Sequence, residues 1–137
     1  MTWMPDVLRL FESAPVDGAG LTSLNIEPLR KIELRLFTFS RFATDRAGGK
    51  EYELHFVRVP AFRLTSFSLA DRIVSHASVA NSDLLEDFKR FRAKLSVKFD
   101  VDSLHHFRLT SVHGQLDILA ESFCLALALG RLPRLGN

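Results

Sequence analysis

A single cysteine, Cys124, is present in the chain. No intrachain disulfide can form, and the disulfide-dense scaffolds of small secreted domains are excluded. Tryptophan and tyrosine are each represented once, against twelve phenylalanines. Most of the aromatic surface therefore lacks a polar handle and belongs in a core. No apolar run approaches the roughly 20 residues of a membrane helix, and the most apolar segment, FCLALALG, is far shorter. The opening MTWMPDVLRLFESAP lacks the charged start, apolar run and small-residue cleavage site of a secretory leader. Those absences make a cytoplasmic, reducing location with no membrane association the expectation. An excess of either sign of charge is also lacking, since the net value is +2. That is too little to argue for a polyanionic ligand on charge alone.

Familiar reaction signatures are missing as well. The chain contains no G-x-S-x-G, H-E-x-x-H, C-x-x-C or H-x-E pattern. DRAGGK at 45–50 echoes the end of a phosphate-binding loop, but it lacks the first glycine and lies between two strand-like segments. A phosphate-binding loop must instead join a strand to a helix. Cys124 sits in an apolar run and is expected to be an inert core residue.

What the chain does have is periodicity. At 137 residues it is long enough to bury its own core, and no linker or repeat divides 1–137, so one domain is expected. A short helix runs from about Pro5 to Ala14, with Val7, Leu8 and Phe11 on one face. From Leu21 the period becomes two. In KIELRLFTF, Ile32, Leu34 and Leu36 alternate with Lys31, Glu33 and Arg35, and in EYELHFVRV, Tyr52, Leu54 and Phe56 share a face. FRLTSFSL and RIVSHASV continue the strand pattern. A helix over 83–95 follows, with Leu84, Phe88, Phe91 and Leu95 forming one apolar stripe and Glu86 placed to pair with Arg90. Asp83 with Glu86 has capping-box spacing, with Ser82 and Asn81 as alternative caps. SVKFDV, LHHFRLTS and QLDILAESF read as closing strands. The expected fold is α+β: a curved, mainly antiparallel sheet, or a partly open barrel, packed on one main helix, with a short N-terminal helix.

LHHFRLTSVHGQLDILA carries three of the five histidines. A hairpin with His113-Gly114 as a two-residue turn pairs Thr110 with Asp117, Arg108 with Leu119 and His106 with Glu121. One face is then apolar and the other polar. His106 and His113 lie about 23 Å apart on an extended strand at about 3.3 Å per residue, so they cannot share a metal. His106–Glu121 is left as a surface pair. No catalytic residue, metal site or cofactor is assigned. The run KRFRAK at 89–94 reads as a solvated helix face, its bases complementing the helix dipole. The connection SRFATDRAGGK is longer than a hairpin needs and carries Arg41, Phe42, Arg46 and Lys50, which are binding-hot-spot residue types.

The layout resembles the small single-domain immunity proteins of bacterial polymorphic-toxin systems. The resemblance rests on Trp3 and the N-terminal helix, on LTSLNIEP with KIELRLFTF, on YELHFVRVPAFRL and on the hairpin FRLTSVHGQLDILAES. It implies a compact cytosolic chain that binds and neutralises one toxin domain without catalysis. The positive net charge departs from the acidic character common in members that face basic nucleases. A protein-binding module using the 40–50 loop is the leading expectation. A weakly basic nucleic-acid binder and a small barrel holding an apolar ligand are the alternatives, and an exposed sheet edge could pair two copies into a homodimer.

Overall fold

The computed structural model describes residues 6–38, 50–95 and 98–127. The architecture is α+β, with two four-stranded antiparallel sheets and two α-helices. In chain order the elements are α1 (Asp6–Glu12), β1 (Gly20–Glu27), β2 (Lys31–Thr38), β3 (Lys50–Val57), β4 (Ala61–Thr65), β5 (Ile73–Ser78), α2 (Asp83–Phe91), β6 (His105–Ser111), β7 (Gln115–Ala120) and β8 (Ser122–Leu127). The first sheet runs β1-β2-β3-β8 and the second β4-β7-β6-β5.

The alternation in β2 and β3 places apolar side chains on one face, and the register aligns them. Leu34 lies opposite Leu54, Ile32 opposite Phe56 and Leu36 opposite Tyr52. Ile32, Leu34, Leu36, Leu54 and Phe56 are completely buried. They share one core with Ile73, Phe107, Leu109, Leu116 and Ile118 of the second sheet. The apolar face of each sheet is thus covered by the other sheet. The main helix does not cover it, and the sheets are not closed into a barrel.

The short helix α1 reaches deepest. Phe11 is fully buried and meets Phe107, Phe123 and Phe56 edge-on at centroid distances of 4.9, 5.3 and 5.9 Å. Perpendicular rings of this kind gain electrostatic stabilisation beyond the area they bury. α1 packs on the edge strands β8 and β5. His76 of β5 holds its far end, with Nδ1 2.6 Å from Asp17 Oδ1 and Nε2 3.2 Å from the Glu12 carbonyl.

Two seams join the sheets. At the first, β3 continues into β4 and β7 into β8, so a single antiparallel ribbon passes from one sheet to the other. Val57 faces Ser122 and Ala61 faces Leu119, so three residues on one strand oppose two on its partner, as in a β-bulge. Arg58 occupies the left-handed region at φ 56°. Its guanidinium binds Glu121 Oε2 at 2.5 Å and the Lys98 carbonyl at 2.7 Å and lies over the Phe99 ring. At the second seam, Leu21 N donates to Asp71 O at 2.8 Å, Ala70 N to Leu21 O at 2.9 Å and Ile73 N to Ala19 O at 2.8 Å.

α2 lies on the outer face of the second sheet. Leu84 and Phe88 pack with Leu104 and Leu119 into a small second core. The stripe expected from the sequence ends early. The α-helix stops at Phe91, a 3-10 turn covers Arg92–Lys94, and Phe91 remains 57% exposed. SVKFDV is not a strand where it is described. Asp100 accepts from Asp102 N and from Ser103 Oγ and nucleates a 3-10 turn at Val101–Ser103 instead. QLDILAESF, expected as one strand, is split at Glu121 between the two sheets. Cys124 is exposed rather than buried, because strand alternation places it on the outer face opposite His55.

Truncation of Phe11 removes the ring on which three others converge. Phe11→Ala is expected to lower unfolding stability by about 3–5 kcal/mol, read from the urea midpoint. Phe91→Ala, at an exposed position, is expected to change it by less than about 0.5 kcal/mol.

Candidate functional site

Hairpin β6–β7 turns one residue earlier than its sequence suggests. Thr110 faces Gln115, Arg108 faces Asp117 and His106 faces Leu119, so every pairing is displaced by two positions. A shift of two preserves the faces, and the apolar and polar assignments therefore hold. Val112 and His113 form the turn. Ser111 N donates to Gly114 O at 2.8 Å, and Gly114 N donates to Ser111 Oγ at 2.9 Å. Gly114 is needed for clearance. A Cβ there would lie 1.9 Å from the Thr65 carbonyl oxygen of the adjoining turn.

The corrected register brings Asp117 beside Arg108 and within reach of His106. The expected His106–Glu121 surface pair does not form. His106 is 3% exposed, and Glu121 turns to Arg58. His106 Nε2 lies 2.7 Å from Asp117 Oδ1, and Nδ1 lies 2.6 Å from Ser82 Oγ, the N-cap of α2. Arg108 Nε donates to the same Asp117 oxygen at 2.8 Å, and Gln115 Nε2 donates to the other at 2.8 Å. Ser82 Oγ also accepts from Leu85 N at 2.9 Å.

The protons follow from this wiring. Burial pushes the Asp117 carboxyl up, but the hydrogen bonds from Arg108, His106 and Gln115 outweigh it and hold the group below the usual carboxylate range. An ionised Asp117 can only accept, so Nε2 carries a proton. In the neutral ring Nδ1 is then the acceptor. The Ser82 hydroxyl, already accepting from Leu85 N, donates to it. Serine, imidazole and carboxylate form a relay, with Ser82, His106 and Asp117 all at or below 7% exposure.

Beside Ser82 and His106 lies a cleft of about 180 Å³, also lined by Leu8, Val79, Leu85 and Leu104. Asn81, immediately before Ser82, sits at φ 53°. The cap could be suspected from the sequence, where Ser82 was one of three candidates. Its partners could not, because the relay depends on the hairpin register.

The expected binding residues are distributed differently. Arg41, Phe42 and Arg46 lie outside the described residues. Lys50 belongs to β3 rather than to the preceding loop; it is exposed and pairs with Thr38. A second surface lies between α2 and the edge strand β4. There Pro60, Ala61, Leu84, Phe88, Phe91 and Leu95 line an open apolar groove of about 250 Å³. Phe62 and Leu64 of β4 are also exposed. On the solvent side of α2, Lys89 pairs with Glu86 at 3.2 Å and Arg90 with Asp87 at 3.8 Å. The spacing is i,i+3 in both cases, where Glu86 was expected to reach Arg90.

On the outer face of the first sheet, His55 lies between Glu53 and Glu33, with Arg35 and Lys31 paired to the same carboxylates. Among the described residues no group of three or more His, Cys, Asp or Glu side chains is arranged to hold a metal ion. Among the described residues, too, no helix is long and apolar enough to cross a membrane. Comparison of the chain with family models, curated proteins and solved structures yields no match.

The depressed Asp117 carboxylate sets an acid limit. Its contribution to stability is fully present above the unfolded-state pKa of about 3.9 and is lost as pH falls through the lower folded value. Asp71, held down first by His113 and also by Ser68 and Ser111, and Asp83, held down first by Arg63, act in the same direction. Urea denaturation from pH 7 to pH 2 is expected to show the loss concentrated below about pH 4. Asp117→Asn should lose about 1–3 kcal/mol at neutral pH by weakening its hydrogen bonds to buried His106 and part-exposed Arg108, and should show a shallower acid slope.

Proposed function

We propose that the protein is a binding module that acts by stoichiometric occupancy of a protein partner, in the manner of an immunity protein neutralising a toxin domain. The observation that carries this reading is the groove between α2 and β4. It combines a sheet edge unpaired among the described residues, an exposed aromatic side chain and an apolar floor. Phe91 stands at its rim, and Lys94 Nζ lies 5.7 Å from the centroid of its ring. Large apolar side chains left in solvent beside a preformed groove are the raw material of an interface hot spot.

The edge of β4 adds a second means of attachment. Among the described residues β4 pairs only with β7, so among them its other side offers backbone donors and acceptors to an incoming strand. Arg63, on the α2 side of the strand, is held by Asp83 at 3.4 Å, while Phe62 and Leu64 are exposed on its opposite face. Arg41, Phe42 and Arg46 supply a separate candidate contact. They fall in the sequence between β2 and β3, outside the described residues. The alternative of an apolar ligand inside the fold has little support, because Phe11, Phe56, Phe107 and Phe123 occupy the space between the sheets.

The test is a tagged capture from lysate split into nuclease-treated and untreated halves, with wild type, Phe91→Asp and the pair Phe42→Ala/Arg46→Ala. One protein retained at equal stoichiometry by wild type, and reduced at least tenfold by Phe91→Asp, is the expected outcome. Loss only with Phe42→Ala/Arg46→Ala would move the interface to the β2–β3 connection. Retention of nucleic acid alone, in the untreated half of the lysate, would overturn the protein-binding reading.

A further inference from the structure

We propose that Ser82, His106 and Asp117 form a nucleophilic acyl-transfer site that acts on small uncharged esters in the cleft beside α1 and α2. The proposal concerns a cleft separate from the docking groove: Ser82 and Leu85 line the cleft, while Leu84, Phe88 and Phe91 line the groove. It rests on a complete chain of contacts. The nucleophile lies 2.6 Å from the base, and the base lies 2.7 Å from the carboxylate that orients it. A nucleophile–base–orienter set of this kind is recognised by geometry and role rather than by order in the sequence. The ring is used with its two nitrogens exchanged relative to the familiar serine-hydrolase arrangement. Either imidazole nitrogen can take a proton while the other donates one.

The cleft fits the chemistry. Ser82 and His106 both line it, so the reacting oxygen and its base face the same space. Among the described residues lining it there is no Asp, Glu, Lys or Arg, and His105, which also lines it, is held below its usual pKa by burial. A charged substrate would find no partner there. Leu8, Val79, Leu85 and Leu104 accommodate a short apolar acyl group. The cleft, of about 180 Å³, has room for a short acyl group. Ser82 caps the nine-residue helix α2, so charge developing on the carbonyl oxygen forms at the positive end of the helix dipole.

The step balances within these residues. As the Ser82 Oγ bond to the carbonyl carbon forms, the hydroxyl proton passes to His106 Nδ1. The carbon–oxygen bond to the leaving alcohol breaks, and that alcohol takes the proton from Nδ1. Water then attacks the acyl-serine by the same route in reverse, giving the free acid and restoring the hydroxyl. Asp117, fixed by Arg108 and Gln115, is a positioning residue. It holds the ring with Nδ1 towards Ser82.

The full-length protein is treated with a fluorophosphonate, which replaces fluoride at phosphorus with the serine oxygen, and is examined by intact mass and peptide mapping. Turnover is followed in parallel with p-nitrophenyl acetate. One adduct per chain, mapped to Ser82, is expected, and the labelling rate should fall about 100-fold or more in His106→Gln. Ser82→Asn keeps a good helix cap but removes the nucleophile, and should abolish labelling while the circular dichroism spectrum is unchanged. If that variant fails to fold, the mapped position of the wild-type adduct decides the matter alone. No adduct on folded wild type, or an adduct elsewhere, would overturn the proposal and leave Ser82 as a cap only.

Discussion

The ribbon made by β3–β4 against β8–β7 has to pass from one sheet to the other, and the bulge at Arg58–Pro60 is where it does so. A straight ribbon would leave the apolar face of each sheet open to water. Placing three residues opposite two bends the pair and turns the face carrying Leu54 and Phe56 towards the face carrying Phe107 and Ile118. The left-handed backbone of Arg58 is strained for a side chain of that size. Its guanidinium is correspondingly well held, by a carboxylate, a backbone carbonyl and an aromatic ring. With the bend in place the two sheets can share a core, and α1 can seat Phe11 at its centre.

How far the fold could be read from the chain depended on how local each signal was. Ile32, Leu34 and Leu36 announce their strand and its buried face because alternation is a property of neighbours. The same is true of Tyr52, Leu54 and Phe56. Closure of the core by a second sheet was not legible. It depends on a bend whose only local marks are Pro60 and a glutamate, and QLDILAESF carries no break in its pattern at Glu121. In SVKFDV the apolar alternation suggested a strand, but Asp100 offered the backbone nearer hydrogen-bond partners. Cys124 was misjudged for a related reason. An apolar run in an edge strand still sends every second side chain outward.

The relay at Ser82 shows how sharply a site can depend on register. His106 and Asp117 were both singled out in the sequence, on the correct face, but in the wrong rows. Gly114 suggested a turn residue, although its value here is the space it leaves for the backbone at Thr65 and Ser66. Once the rows are moved by two, three separated segments converge: the cap of α2, the middle of β6 and the middle of β7. The network also ties α2 to the sheet by polar contacts, while Leu84 and Phe88 tie it by apolar ones. The rest of α2 is then free to end early and present Phe91 to solvent.

The position of Phe11 also bears on how the chain can be made. It belongs to the first of the described helices, yet the rings it packs against come from residues 56, 107 and 123. No early fragment contains the surroundings that this ring requires. Its pocket is completed only when β8 has been synthesised, close to the end of the described chain. Until then α1 has nothing lasting to dock on and the edges of β5 and β8 lack the helix that packs on them. Such a nascent chain is exposed to premature association with its neighbours, and its core cannot be completed before β8 is made.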